Sequence, residues 1–183
     1  TSFSLNKYLI LTNPKKNEFT SRLIIEALRN TDNRLKNNQS ITPGFLMAAM
    51  LWPEILEKSI KKGAINLRKF FRSMDQVLRK QQQITAIPRK FHGYIKDIWV
   101  LQLKLHSRIG KQPYKTLKHP RFRAAYDFLL LREKAASNKK YLGDWWTNFQ
   151  KNDDSIKKSL IKDLREKNNE ESPKIFGFSA ELR

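Results

Sequence analysis

The sequence predicts an all-α protein, built as a single bundle of seven or eight helices without a sheet. Apolar residues recur at spacings of three and four over most of the chain, as in helices that bury one side. The strict alternation of apolar and polar residues that marks a half-buried strand is missing. Proline also stands at the start of several apolar segments, where its fixed φ suits the first turn of a helix. The 11 Phe, 5 Tyr and 4 Trp supply enough bulky side chains for one core.

The first predicted helix runs from about Glu18 to Asn30. Its apolar residues lie on one side and are Phe19, Leu23, Ile24, Ala27 and Leu28. Residues 1–16 before it are predicted to form a strap left from a preceding element, because their apolar run is only four residues long. The polar residues 30–34 are predicted to end the helix in a turn, because short polar side chains hydrogen-bond the backbone locally.

Two helices are predicted in the next forty or so residues. The pair Thr42-Pro43 opens an uncharged apolar segment, which we expect to be buried and to be kinked or interrupted at Pro53. The following helix should turn its apolar residues inward, and these are Leu67, Phe70, Phe71, Met74, Val77 and Leu78. Eight basic residues accompany one acid, Asp75, in this region: Lys58, Lys61, Lys62, Arg68, Lys69, Arg72, Arg79 and Lys80. They form either a solvated face or a surface that contacts the backbone of RNA.

A longer helix is predicted to begin after Ile87-Pro88. Its apolar side comprises Phe91, Tyr94, Ile95, Ile98, Leu101, Leu105 and Ile109, and its opposite side carries Arg89, Lys96 and Lys104. Trp99 lies near the boundary, where it either stacks on a base or fills a second helix interface. A turn at 110–113 follows, and Pro113 is predicted to start a short helix that ends at Leu117.

The next helix is predicted to start at Pro120 and to lie in the middle of the bundle. Its apolar residues surround the helix almost completely and are Phe122, Tyr126, Phe128, Leu129, Leu130 and Leu131. Arg123 and Asp127 are four residues apart, so they can form a buried ion pair. The alternative is that Arg121 and Arg123 bind phosphate at the helix N-terminus, where the dipole attracts anions.

Two more helices complete the prediction. The first is rich in aromatic residues (Tyr141, Leu142, Trp145, Trp146 and Phe149), and the second carries Ile156, Leu160, Ile161 and Leu164. We therefore divide the chain into the strap, a helical body with a basic face at 17–136, a C-terminal helical tail at 137–168, and a loosely ordered end at 169–183.

The charge of the chain indicates its class of partner. There are 37 Lys and Arg against 17 Asp and Glu, which gives a formal net charge of +20. Such an excess repels itself in the compact state, so a polyanion is the expected partner, with general solubility as the alternative. Ten basic residues between positions 88 and 123 are predicted to contact RNA: Arg89, Lys90, Lys96, Lys104, Arg108, Lys111, Lys115, Lys118, Arg121 and Arg123. Arg34 is either a turn residue or a further RNA contact.

Five segments resemble, in this order and at similar spacing, the C-terminal half of the bacterial poly(A) polymerases. They read NTDNR at 30–34, FLMAAMLW at 45–52, AIPRK at 86–90, DIWVLQL at 97–103 and HPRFRAAYD at 119–127. These polymerases are a branch of the class II nucleotidyltransferases, which also contain the CCA-adding enzymes. The resemblance covers about residues 17 to 150.

The resemblance implies an RNA-binding portion of an enzyme that adds AMP from ATP to RNA 3′ ends, that is, of the polyadenylation machinery of mRNA processing. The catalytic head, which would use ATP and Mg²⁺, and the neck that recognises the nucleotide are expected upstream of Thr1. By this reading the chain holds a single-stranded RNA 3′ end, contains no catalytic residue or cofactor site, and is inactive alone. The alternatives are a structural or protein-docking domain and the equivalent portion of a CCA-adding enzyme.

Several other classes of site are disfavoured by composition. The chain has no Cys, and its three His residues (His92, His106 and His119) share no helical face with a carboxylate, so we expect no metal site. The six Gly residues are scattered singly, which does not fit a glycine-rich phosphate loop. We find neither an apolar run that spans a bilayer nor a signal peptide, so no membrane partner is expected and a cytoplasmic location is predicted. The oligomeric state cannot be read from the sequence.

Overall fold

The computed structural model describes residues 14–61, 64–85, 87–136 and 141–170, and these contain eight helices. The helices are α1 (Pro14–Lys36), α2 (Pro43–Ser59), α3 (Leu67–Ile84), α4 (Lys90–Lys104), α5 (Gln112–Leu117), α6 (Phe122–Ala136), α7 (Tyr141–Lys151) and α8 (Asp154–Glu170). The all-α prediction is confirmed. Residues 1–13 of the predicted strap and residues 171–183 of the predicted end lie outside the described residues.

The connection from α2 to α3 carries a very short antiparallel pairing. Strand β1 (Ile60–Lys61) pairs with strand β2 (Ala64–Ile65), with Ile60 opposite Ile65. A pairing of two residues per strand buries no face of its own, so it serves as a tight connection between two helices. In the part of the chain that the structure describes, these are the only strands.

Helix α1 continues past the predicted stop at Asn30 and ends at Lys36, so that prediction is wrong. The polar segment stays helical, and Thr31 Oγ1 donates a hydrogen bond back to the carbonyl oxygen of Ala27 at 2.9 Å. The helix instead ends where Asn38 adopts a left-handed conformation with φ of 53°. The Gln39 N–H then donates to the oxygen of Arg34 at 2.8 Å and the Asn38 N–H to that of Leu35 at 3.0 Å. This is the usual C-terminal cap of a helix, with Asn in place of Gly.

Helix α2 begins at Pro43 as predicted and continues past Pro53, so of the two expectations for this proline, a kink or an interruption, the interruption is wrong. The missing N–H of Pro53 costs one helical hydrogen bond. Burial offsets this loss, because Leu51, Trp52 and Ile55 around the proline are at most 4% exposed. At its C-terminal end, the hydroxyl groups of Ser59 and Ser73 lie 3.0 Å apart and join α2 to α3.

Helix α6 lies between two groups of buried side chains, which confirms its predicted central place. In the first group, Phe128 and Phe70 pack edge to face against Trp52, with ring centroids 5.6 and 6.1 Å away. In the second group, α6 contributes Phe122, Tyr126 and Leu129, which pack with the aromatic residues of α7. Apolar residues on opposite sides of α6 therefore connect the body to the C-terminal helices.

Two buried tryptophans join α4 to α2 and α7 to the residue that follows α4. Trp99 of α4 is fully buried and its indole N–H donates to the carbonyl oxygen of Ala48 at 3.0 Å. Trp99 therefore fills a helix interface, and base stacking by this residue is excluded. Trp146 of α7 is also fully buried and donates to the oxygen of Leu105 at 2.9 Å, just after α4 ends.

Four residues of the predicted apolar sides are exposed instead, and two of them are Leu28 at 44% and Ile156 at 43%. Ile109 is 48% exposed, because α4 ends at Lys104 and the helical phase on which the prediction rested is lost there. Phe71 is 44% exposed and packs edge-on against Phe70, so it lies at the rim of the core. Within the described residues, no helix is both long enough and apolar enough to cross a membrane.

Candidate functional site

A cavity of about 350 Å³ opens between α1, α2, α4 and α6, and three arginines lie on its wall. We call it the arginine cleft. Its lining residues come from four separate parts of the chain: Asn30, Thr31, Arg34, Ser40, Ile41, Thr42, Phe45, Tyr94, Pro120, Arg121, Arg123, Ala124 and Asp127. Three of the five segments that resemble the bacterial poly(A) polymerases contribute to it.

Arg34 reaches the cleft because α1 continues to Lys36. Its Nε atom donates to the carbonyl oxygen of Ser40 at 3.0 Å, in the connection that leads to α2. That bond uses one of the five N–H groups of the guanidinium and fixes its position. A helix that ended at Asn30 would not have carried Arg34 to this place.

Arg121 is placed by the turn that precedes α6. This helix begins at Phe122 rather than at Pro120, so the predicted start is two residues early. The turn is closed by a bond from the Phe122 N–H to the oxygen of His119 at 2.8 Å, and the Arg121 N–H donates to His119 Nδ1 at 3.1 Å. The Arg121 guanidinium lies over the ring of Tyr94, 5.0 Å from its centroid. This cation–π contact orients an otherwise exposed side chain.

Arg123 and Asp127 form the predicted ion pair, with 3.1 Å between Arg123 Nε and Asp127 Oδ1. The expected burial is wrong for the arginine, whose side chain is 75% exposed, whereas that of Asp127 is 24% exposed. Burial raises the pKa of the Asp127 carboxyl, and the positive charges of Arg123 and Arg34 oppose this increase. The pair was therefore predicted correctly, but it lies at the edge of the cleft and not inside the bundle.

Tyr94 and Gly44 form the floor beneath Arg121. Burial raises the pKa of the Tyr94 hydroxyl, and a hydrogen bond with the Thr42 side chain opposes this increase. A Cβ atom on Gly44 would lie only 2.8 Å from Tyr94 Cδ1, so the ring packs directly on the glycine backbone. The sequence pattern identified Tyr94 only as an apolar residue, and no signal distinguished it from its core neighbours.

The electrostatics of the cleft favour an anion. Helices α2 and α6 both begin at the cleft, and the N-terminus of a helix carries a partial positive charge. Thr42 precedes α2 without making a side-chain cap to it. Asp127 is the single carboxylate among the described lining residues, and it is already paired with Arg123. Neither Arg34 nor Arg121 forms an ion pair in the described part of the chain, although the charge of Arg34 is near enough to oppose the increase that burial causes in the pKa of the Asp127 carboxyl.

The other predicted contact residues do not form one continuous row. Tyr94 and Lys96 are two residues apart on α4, about 200° around the helix, so Lys96 lies on the side away from the cleft. There its ammonium group pairs with Asp75 of α3 at 2.5 Å. The remaining cations outside the cleft, apart from Arg108, are exposed: Arg89, Lys90, Lys104, Lys111, Lys115 and Lys118.

Arg108 is partly buried and packs against an aromatic ring. Its guanidinium lies 5.4 Å from the centroid of the Trp145 ring, and burial lowers its pKa. It therefore connects the segment after α4 to α7, and its partly buried guanidinium is less accessible to a ligand than that of an exposed arginine.

The basic face of α3 is partly neutralised. Lys58 and Lys80 approach Glu54 at 3.9 and 3.1 Å, whereas Arg68 and Arg72 are exposed. The side chains of Lys61 and Lys62 lie outside the described residues. The structure also describes no group of three or more His, Asp or Glu residues that could hold a metal ion.

Comparison with known proteins shows which family the chain is similar to. Residues 62–175 match the family model described as "Polymerase A arginine-rich C-terminus". Poly(A) polymerase I of Salmonella typhi is 37% identical over 78% of this chain and 32% of its own length. The corresponding proteins of Escherichia coli O157:H7 and Haemophilus influenzae are 38% and 34% identical, over 79% and 81% of this chain.

The chain spans about a third of the length of these relatives, 32% of the Escherichia coli protein and 34% of the Haemophilus influenzae protein. The family model and the relatives confirm the family that the five segments indicated. The chain therefore belongs to the poly(A) polymerase family, as the portion that carries its arginine-rich C-terminus.

Proposed function

We propose that this chain is the RNA-binding C-terminal portion of a polynucleotide adenylyltransferase, and that it holds the single-stranded 3′ end of the substrate. The observation that carries the proposal is the convergence of Arg34, Arg121 and Arg123 on one cleft, against one carboxylate, in a chain with a net charge of +20. Nucleic-acid backbones are bound mainly by such cations, which release counterions from the phosphates. The exposed lysines that follow α4 extend the positive surface beyond the cleft.

The proposal includes a catalytic part outside this chain. Metal-dependent nucleotidyl transfer needs carboxylates that hold metal ions, and the described residues offer no such cluster. ATP and Mg²⁺ would bind to the head of the parent enzyme, and head and neck would be the protein partners of this portion. Alone, the chain is expected to bind RNA without extending it.

We also propose that the protein is located in the cytoplasm. The names of the relatives favour A-tailing over CCA addition.

A role in docking another protein segment is the second candidate. It is favoured by three exposed apolar residues on one side of α1, where Ile25 is 46%, Leu28 44% and Leu35 59% exposed. This stripe and the arginine cleft involve different side chains, so both roles can coexist.

The proposal is tested by the binding of a fluorescently labelled oligo(A) strand, followed by anisotropy over a range of NaCl concentrations. The double variant Arg34→Gln/Arg121→Gln should weaken binding about tenfold or more, because it removes two charge-assisted contacts. Its salt dependence should also become shallower by about 0.7 for each lost phosphate contact to a single strand.

Two further variants serve as comparisons with the same loss of charge. Lys151→Gln/Lys158→Gln changes exposed residues of α7 and α8 and should leave affinity within about twofold. Lys96→Gln/Lys104→Gln should have an intermediate effect, because Lys96 is already paired with Asp75. Equal losses in all three variants would mean that net charge alone attracts RNA, and the cleft would then have no special role. Absence of any salt-dependent binding would refute the proposed function.

A further inference from the structure

We propose that the arginine cleft receives a single nucleotide of the bound RNA, with the phosphate at Arg34 and Arg121 and the base against the apolar wall. This inference rests on the proposed function and adds a defined pocket to it. It is carried by the size of the cleft, by its mixed polar and apolar lining and by the way in which its cations are fixed.

The volume of the cleft is suited to one small molecule or one nucleotide. Pockets for small molecules measure about 300–1,000 Å³, and the cleft, at about 350 Å³, is at the lower end of that range. A strand that only lies across a basic surface needs no cavity. The cleft therefore offers more than the phosphate contacts of a flat surface.

The lining of the cleft has a polar and an apolar part. The cations of Arg34 and Arg121 are accompanied by apolar side chains of the same wall, namely Ile41, Phe45, Pro120 and Ala124. Phe45 is held by an edge-to-face contact with Phe128, 6.3 Å between centroids, so it offers a fixed surface. A nucleotide has the matching composition, because an anionic phosphate is joined to a base with an apolar face.

The cations are fixed in ways that leave donors available. Arg34 uses its Nε atom for the Ser40 oxygen, and Arg121 uses the face of its guanidinium for Tyr94. The terminal nitrogens of each guanidinium are the ones that bind a phosphate in a forked arrangement. The pairing of Arg123 with Asp127 limits the repulsion between that carboxylate and a bound phosphate.

The direct test titrates AMP, adenosine and inorganic phosphate into the isotope-labelled chain and follows its backbone amide NMR signals. AMP should shift the amides at the starts of α2 and α6 and should bind more tightly than either of its halves. Arg34→Gln/Arg121→Gln should weaken AMP binding about tenfold or more. The matched variant Arg68→Gln/Arg72→Gln, which removes two exposed arginines of α3, should leave it unchanged.

The apolar wall is tested separately. Phe45→Leu should weaken AMP several-fold but leave inorganic phosphate unchanged, because only the base loses its contact. The amide spectrum of this variant also shows whether the fold is retained. If AMP and phosphate bind equally and Phe45→Leu affects neither, the cleft recognises phosphate alone and the inference is wrong.

A competition experiment distinguishes RNA from a free nucleotide as the occupant. Unlabelled oligo(A) should displace AMP from the cleft if both use the same site. Simultaneous binding of AMP and oligo(A) would overturn the inference, since the cleft would then serve free nucleotide. RNA binding without any AMP response would also overturn it while leaving the proposed function intact. If RNA does not bind at all, the proposed function fails, whatever AMP does.

Discussion

At the scale of single residues, the position of Arg121 depends on a glycine that is distant in sequence. Tyr94 can lie beneath the guanidinium only because Gly44 has no side chain, and a Cβ atom there would lie 2.8 Å from the ring. Thr42 makes no side-chain cap to α2, and its interaction with the Tyr94 hydroxyl lowers the pKa of that group against the effect of burial. One backbone position at the start of α2 therefore decides where a cation at the start of α6 is held.

We expect Gly44→Ala to destabilise the protein by about 1–3 kcal/mol, because Tyr94 must move to relieve the overlap. The control is Gly93→Ala on α4, where nothing lies within 4 Å of the added carbon. That change should stabilise by about 0.5–1 kcal/mol, because alanine favours a helix over glycine. Urea unfolding of both variants measures the contrast. Equal effects would show that Gly44 is not confined by Tyr94.

At the scale of helices, the start of α2 was predictable from the sequence and the end of α1 was not. Thr42-Pro43 correctly marked the start of α2, because proline has one favoured position in a helix. The end of α1 was missed by six residues, since residues 30–34 carry turn-forming side chains yet remain helical, in a helix that packs against α6. Local propensity decides an end only where tertiary contacts do not override it.

The contact between α1 and α6 includes an ion pair, and it gives a pH prediction. Glu26 of α1 accepts hydrogen bonds from Lys134 of α6 at 2.6 Å and from Arg29 at 2.9 Å, and its side chain is 12% exposed. The hydrogen bond from Lys134 lowers the pKa of Glu26 below its usual 4.5, although burial opposes this. The stabilisation is therefore present above about pH 4.5 and is lost as the pH falls through the lower value of the folded state.

We expect Glu26→Gln to lower the free energy of unfolding by about 0.5–1.5 kcal/mol at neutral pH. The difference from the parent should shrink as the pH falls through the lowered pKa of Glu26, because the parent carboxyl is then protonated as well. Glu18→Gln is the control, because its partner Arg22 and Glu18 itself are 39% and 61% exposed, and it should cost less than about 0.5 kcal/mol. A Glu26→Gln effect that persists unchanged in acid would indicate lost packing rather than lost charge.

At the scale of the whole molecule, the cleft depends on residues that lie far apart in the sequence. Arg34 and Arg121 are separated by α2, α3, α4 and α5, and each segment alone reads as a turn or as a helix start. The sequence therefore predicted the all-α class, the Arg123–Asp127 pair and the basic character, since these follow from composition and local spacing. It could not predict which cations would meet, because that depends on how the helices pack. It grouped Lys96 with Arg121 and Arg123, although Lys96 lies on the side of α4 that is away from the cleft.

The net charge of +20 leads to a prediction about stability in which free and RNA-bound protein respond to salt in opposite directions. Raising NaCl from about 0.01 to 1 M shortens the Debye length from about 30 to 3 Å, which screens the self-repulsion and should stabilise the free chain by about 1 kcal/mol. Oligo(A) at about 100 times its Kd should add about 2.7 kcal/mol at low salt, and this increment should disappear at high salt as binding weakens.

Thermal unfolding with and without oligo(A) across the salt series measures both trends. Arg34→Gln/Arg121→Gln should leave the stability of the free chain nearly unchanged, because the relief of charge repulsion is offset by the loss of the hydrogen bond to Ser40 and of the contact with Tyr94, and should reduce the increment from RNA. Loss of stability in the free variant would instead mean that these arginines hold the fold together. Packing would then be enough to explain the presence of these two arginines, and the argument for a ligand in the cleft would be lost.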